Sequence, residues 1–438
     1  MCKRVILVAF LTCIIAAAAS SDEMGLLWQR NAQFGIYSQC QYLRPSHTNS
    51  TLIVSSLVLN PPFNVSVNVA SSDTEVFVDS KSGDVTTSVY GTHFSAVEQD
   101  DQRQTLRVTM YRADADSKFT SLWSKDCTAG DWLQNNGGCG IGQIRPIITR
   151  DNVVVLLTTD FFRQTATVLG LYSSSGNIAF SIPIPLVGYE GWGSDVSADG
   201  SLGVFLVRTT QASTTSWVLA YDLSLNSTHR ALLRDMAEYT IEALCMSPDK
   251  MWLALGYQYI MLYYYNSAKQ MYEGQGMIMA PNSDARALSC VVDNDSKILA
   301  IGWVSRGTSQ SIIDTYTLTP QYPTPLRWRY TYVANPRTTK KDAPWSLSVM
   351  ASREKQNTYW IVVGGWGDGD YTNPQVELFR EDKGTPVAVY ETTGSIFAVD
   401  VTYTDENTIL VTACGKYRHA NDISDGGNLY SLFYRPQA

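Results

Sequence analysis

One pattern constrains this chain more than any other: a short strand, a polar turn and a more apolar strand recur along it. The pattern stands at "SVNVASSDTEVFVDS" (66–80), "IITRDNVVVLLTTD" (147–160), "SDVSADGSLGVFLV" (194–207) and "LCMSPDKMWLALGY" (244–257). It returns at "LSCVVDNDSKILAIGW" (288–303), "LSVMASREKQNTYWIVVGG" (347–365) and "VDVTYTDENTILVTACG" (399–415). Asp73, Asp151, Asp199, Asp249, Asp295 and Asp405 sit in six of the seven turns. Aspartate tolerates left-handed backbone and bonds its own main chain, so these residues read as turn formers rather than catalytic groups.

A second phrase follows each hairpin: a strand ending in an aromatic residue, a polar turn, another strand. Tyr111, Tyr172, Tyr221, Tyr265, Tyr316, Phe379 and Tyr434 are those strand ends. The two phrases together repeat every 44–63 residues or so, a period that fits four-stranded propeller blades. Seven phrases of each kind predict an all-β, seven-bladed β-propeller. Eight blades are the alternative, because 33–63 holds two further strand-like runs, "FGIYSQCQYL" and "TLIVSSLVLN". On the seven-blade reading those strands decorate the ring, and 81–104 is an insertion in the first blade.

After Tyr434 only "RPQA" remains, so the last blade lacks a fourth strand. "GLLWQR" (25–30) resembles the fourth strands "FTSLWSK" (119–125) and "PLRWRYT" (325–331). The N-terminal strand is therefore expected to complete the C-terminal blade, which leaves no long bare edge at the seam. The whole of 21–438 reads as one domain.

The repeat resembles the WD-repeat and quinoprotein-like β-propeller superfamily in architecture. No Gly-His/Trp-Asp pair marks each blade, and no quinone-enzyme ligand set maps onto the chain. The resemblance implies the ring and carries no catalytic residue.

The first 20 residues read as a secretory signal peptide: Lys3 and Arg4, an apolar run from Val5 to Ala19, then small residues. That run falls short of the ~20 residues that span a bilayer. No stable membrane anchor is expected, and the expected location is extracellular or the lumen of the secretory pathway. Of eight cysteines, six follow the signal: Cys40, Cys127, Cys139, Cys245, Cys290 and Cys414. Cys127 and Cys139 flank a Gly-rich loop and are the expected disulfide. Cys245 and Cys290 fall at similar places in successive repeats and read as buried thiols. Asn49, Asn64, Asn226 and Asn294 open Asn-x-Ser/Thr glycosylation sequons.

The formal charge of −8 argues against a nucleic-acid partner. Nucleophile elbows are absent, and the four histidines, His47, His93, His229 and His419, are scattered; His229 is expected to be exposed. No cofactor is expected. Calcium is the one ion the sequence offers oxygen ligands for, at Asp368, Asp370 and Asn373, without the glutamate that closes the twelve-residue calcium loop.

Propeller strand order sends the inter-blade loops and the second-to-third-strand loops to one face. The longest loops of the chain fall there, and long loops on rigid scaffolds carry binding sites. Trp132, Trp192, Trp345 and Trp366, with Asp368 and Asp370, are the expected ligand-binding residues. The expected function is a monomeric binding scaffold for a protein or a glycan. The alternative is a propeller enzyme with carboxylates in the channel, and a quinone-type oxidoreductase stands behind it.

Overall fold

Near-continuous apolar runs in the second strands, such as Leu202–Val207, Ile298–Val304 and Ile409–Ala413, put apolar side chains on both faces of each short sheet, so every sheet must be covered by a neighbour on each side. A ring satisfies that demand. In the computed structural model of the chain, eight small antiparallel sheets stand side by side. The structure describes residues 22–44, 50–100, 105–114, 118–127, 139–141, 147–148, 153–160, 165–209, 215–225, 227–237, 241–305, 311–320, 324–331, 343–353, 355–366, 376–404, 407–417 and 426–436.

The blades run in chain order: blade one 36–81, two 84–127, three 139–183, four 189–237, five 243–279, six 285–331, seven 343–390 and eight 396–434. Gly25–Ala32 pairs antiparallel with Gly427–Tyr434 and is the outermost strand of blade eight. Just before it, Asp22–Glu23 lies parallel to Pro386–Tyr390 on the edge of blade seven, and Met24 between the two is buried. The N-terminal segment thus bridges two blades.

The count of seven is corrected to eight. "SVNVASSDTEVFVDS" is the third and fourth strand of blade one, not an inner hairpin. The runs read as decoration are the first strands of that same blade. The supposed insertion at 81–104 is the inner hairpin of blade two, Asp84–Tyr90 with His93–Asp100. Its two-residue turn at Gly91-Thr92 is short because Gly91 adopts φ +59°, the left-handed conformation such hairpins need.

The outermost strand of each blade carries one β-bulge, as between Leu26 and Trp28 or Ser121 and Trp123. Bulges raise local twist and re-aim side chains. In blades two, three, six and eight the bulge turns an aromatic residue toward the next blade's outer turn. Trp28 Nε1 donates to Ala70 O at 2.8 Å, from blade eight to blade one. Trp123 Nε1 donates to Ser173 O, from blade two to three, and its ring lies against Gly176 at φ +68°. Trp328 covers Gly384 of blade seven. Phe180 packs on His229 with centroids 4.9 Å apart, so His229 is half-buried against blade three rather than exposed.

At several junctions a polar side chain of one inner strand accepts a backbone N–H of the next blade. Gln39 Oε1 accepts the Thr87 N–H, from blade one to two. Asp195 Oδ2 accepts the Met246 N–H at 2.8 Å, from four to five. Ser346 Oγ accepts the Val399 N–H at 3.3 Å, from seven to eight. Asp400 Oδ2 accepts the Tyr42 N–H at 2.9 Å, from eight back to one.

Blades five and six are joined by a disulfide between Cys245 and Cys290, with Cα atoms 5.8 Å apart and a sequence separation of 45. This corrects the reading of these two as thiols; equivalent places in successive inner strands are what brings them together. Cys40 and Cys414 are buried and stand outside this bond. The expected Cys127–Cys139 pair falls on side chains outside the described residues. Cutting a covalent loop of this length costs roughly 4 kcal/mol by the chain-entropy model. A C245S/C290S variant is expected to lose about that much in chemical denaturation. An unchanged midpoint would show the bond to be idle.

Candidate functional site

Among the described residues, the strand ends toward the long loops and a cavity in the central channel bear on ligand binding. On the long-loop face, five inner strands carry a bulge at the same level, at Ser38, Trp192, Leu288, Trp345 and Phe397. Trp192 is half-buried, and the Arg208 guanidinium lies over its ring, 3.0 Å from the centroid. On the other side of blade four, Trp217 Nε1 donates to Tyr189 Oη at 3.1 Å, and the exposed Arg234 sits 5.0 Å over the Trp217 ring. Val187 and Met236 beside them are exposed. Aromatic rings capped by guanidinium groups are the composition of protein-interface anchors.

Of the expected ligand-binding residues, Trp192 lies at the inner-strand bulge of blade four, under Arg208. Trp345 occupies the inner-strand bulge of blade seven, and Trp366 ends the next strand opposite Ala343, so both reach the same edge of that blade. Their side chains lie outside the described residues. Trp132, Asp368 and Asp370 lie outside them altogether, as do Asn49 and Asn226. Blades four and seven stand three places apart around the ring, so Trp192 does not share a patch with Trp345 and Trp366. Asn294 stands on an exposed turn at the rim of the channel. Asn64 is half-buried inside a strand paired on both sides, opposite Leu57 and Ser80.

The channel holds a cavity of about 450 Å³ between the inner strands of blades one, six, seven and eight. Gln39, Gln41, Asn294, Ser348, Asp400 and Thr402 are its polar side chains. Asp400 is its carboxylate among the described residues, and both oxygens are engaged. Oδ2 holds the Tyr42 N–H; Oδ1 accepts the Val401 N–H at 2.8 Å and the Ser348 hydroxyl at 3.1 Å. Burial raises its pKa, and these three donors together with Arg44 oppose the rise. Asp400 is therefore built as a tie between blades rather than as an acid or a nucleophile. Among the described residues, no group of three or more His, Cys, Asp or Glu side chains is positioned to hold a metal ion.

Asp195 holds the matching place in blade four. Burial lifts its pKa from 3.8 to about 6, against the pull of the Met246 and Val196 N–H groups. A folded-state pKa above the unfolded value means the native protein binds the proton more tightly. This group's contribution to stability therefore falls as pH rises through about 4 to 6. Stability of the wild type relative to D195N is expected to be greater at pH 4.5 than at pH 7 in denaturant titrations. Parallel pH curves for the two proteins would contradict it. The sequence signal for both ties was present, since Asp-Val-Ser (195–197) and Asp-Val-Thr (400–402) recur in two hairpins.

These features define an eight-bladed β-propeller. No protein-family model matches the chain, and no curated protein sequence matches it. Solved structures match the fold. Sqt1 of Chaetomium thermophilum, solved bound to the N-terminus of the ribosomal protein L10, superposes with a TM-score of 0.56 at 14% identity, covering 91% of this chain and 97% of that one. The Swd1 propeller of Myceliophteria thermophila gives a TM-score of 0.46 at 10% identity, over 92% of this chain and 99% of that one.

Proposed function

We propose that the protein is a secreted glycoprotein whose propeller binds a protein partner through its long-loop face. The observation that carries this reading is the pair of guanidinium-capped tryptophans on blade four, Trp192 under Arg208 and Trp217 under Arg234. Packed rings of this kind supply large contact area at little cost in side-chain entropy, and the arginines add charge. The fold neighbour Sqt1, solved with a segment of another protein, lends the reading support by analogy alone. A glycan ligand would use the same aromatic faces. The leader-like N-terminus, the inter-blade disulfide and the exposed sequon at Asn294 all suit an oxidising secretory compartment.

The test is capture of extracellular partners on the full-length secreted protein, with residue-level cross-linking. Cross-links are expected to centre on blade four. W192A and W217A are each expected to weaken the captured complex by about 2 kcal/mol, or roughly thirtyfold. Full affinity in a correctly folded double variant would overturn the assignment of this face.

A further inference from the structure

The outer edge of blade five carries methionine where a soluble protein usually places polar residues. In Met271–Met279, Met277 and Met279 are 50% and 65% exposed. Residues two apart on a strand share a face, and no bulge falls between these two. Met261, half-buried on the adjacent strand, stands directly opposite Met277. That face looks across the cleft at blade four: the Tyr263 hydroxyl lies 3.6 Å from Met261 Sδ and donates to Asp235 Oδ2 at 2.5 Å. Three thioethers and a carboxylate thus gather at one inter-blade cleft that is open to solvent.

Packing alone does not account for the arrangement, because two of the three side chains are at least half exposed. Directly opposed side chains have Cβ atoms about 5 Å apart, and diagonal neighbours lie about 7–8 Å apart. Methionine adds three rotatable bonds, so three sulfur atoms can converge on one point. Thioether sulfur is soft; it selects Cu(I) over hard cations, which require oxygen. We propose that Met261, Met277 and Met279 form a thioether site for Cu(I) at the cleft between blades four and five. Asp235 supplies negative charge beside the bound cation. The proposal does not rest on Trp192 and Trp217 binding a partner.

The test is nuclear magnetic resonance of the full-length protein labelled at methionine methyl carbons, titrated with Ag(I) as a redox-inert probe for Cu(I). Single M261L, M277L and M279L variants assign the three resonances; leucine keeps the volume, so the fold is retained. The three signals are expected to shift together and to saturate at one equivalent. Each leucine variant is expected to weaken binding by at least the ~10–100-fold that loss of even an outer-shell partner costs at metal sites. M271L, at the far end of the same strand, is expected to leave the affinity unchanged. Because the readout is residue-specific, silver taken up by the thiols of Cys40 and Cys414 does not mimic it. Three static resonances, independent shifts without saturation, or binding that survives the triple variant would each overturn the proposal.

Discussion

Removing Gly25–Ala32 is expected to leave a chain that does not fold to a stable ring. The deletion strips the outer strand from blade eight along Gly427–Tyr434 and unpairs that strand's outer edge. It also takes Trp28 from its bed, where the ring is buried among Tyr37, Ile53, Leu57 and Leu410 and its Nε1 donates to Ala70 of blade one. Tryptophan-to-alanine changes in cores cost about 3–5 kcal/mol, and whole-domain stability is only about 5–15 kcal/mol. Trp28→Ala alone is therefore expected to remove a large part of the margin. The full deletion, which adds an exposed strand edge, is expected to aggregate on expression. Charge pairs from Arg30 to Asp73 and Glu75 contribute less, because both carboxylates are well exposed. A deletion variant that eluted as a monomer with native unfolding behaviour would show the strand to be dispensable.

The second large effect is expected at Asp400. Alanine there deprives three donors of their acceptor: the N–H groups of Tyr42 and Val401 and the hydroxyl of Ser348. Each buried donor left without a partner costs about 1–3 kcal/mol. Water from the adjoining cavity offsets part of that, so a net loss of about 3–5 kcal/mol is expected. Asparagine keeps one acceptor oxygen and sheds the buried charge, so D400N is expected to lose less than half as much. Chemical denaturation of D400A, D400N and wild type at one pH measures both. Equal midpoints for wild type and D400A would mean that the carboxylate does not join blades seven, eight and one.

Much of the architecture was legible because its causes are local. Alternation and turn chemistry mark hairpins, and the turns at Asp199 and Asp249 behave as their sequence implies. Asp199 Oδ1 accepts the hydroxyls of Ser197 and Ser201, and Asp249 Oδ1 accepts that of Ser247. The likeness of the strands around Trp28, Trp123 and Trp328 has a shared physical basis, a bulge that seats each indole on the next blade's turn. The blade count was harder. Inner and outer hairpins of a blade share the same alternation, so nothing local told "SVNVASSDTEVFVDS" from an inner hairpin.

Side-chain ties between blades were not legible either, apart from the recurring Asp-Val-Ser/Thr. Gln39 and Ser346 look like any polar residue in a strand. Their partners are set by the stagger of one blade against the next, which is a long-range property. The Cys245–Cys290 bond is hidden for the same reason. The methionine cluster depends on register: Met261 and Met277 are sixteen positions apart in sequence and opposite only once the strands pair.

Closure of the ring requires the chain to return to its own start, and amide hydrogen exchange tests that most directly. Peptides covering 25–32 and 427–434 are predicted to be protected to the same degree and to open together as denaturant is added, because each strand supplies the other's hydrogen bonds. Exchange of 25–32 at the rate of an unstructured peptide, with 427–434 still protected, would contradict a ring completed by its N-terminal strand.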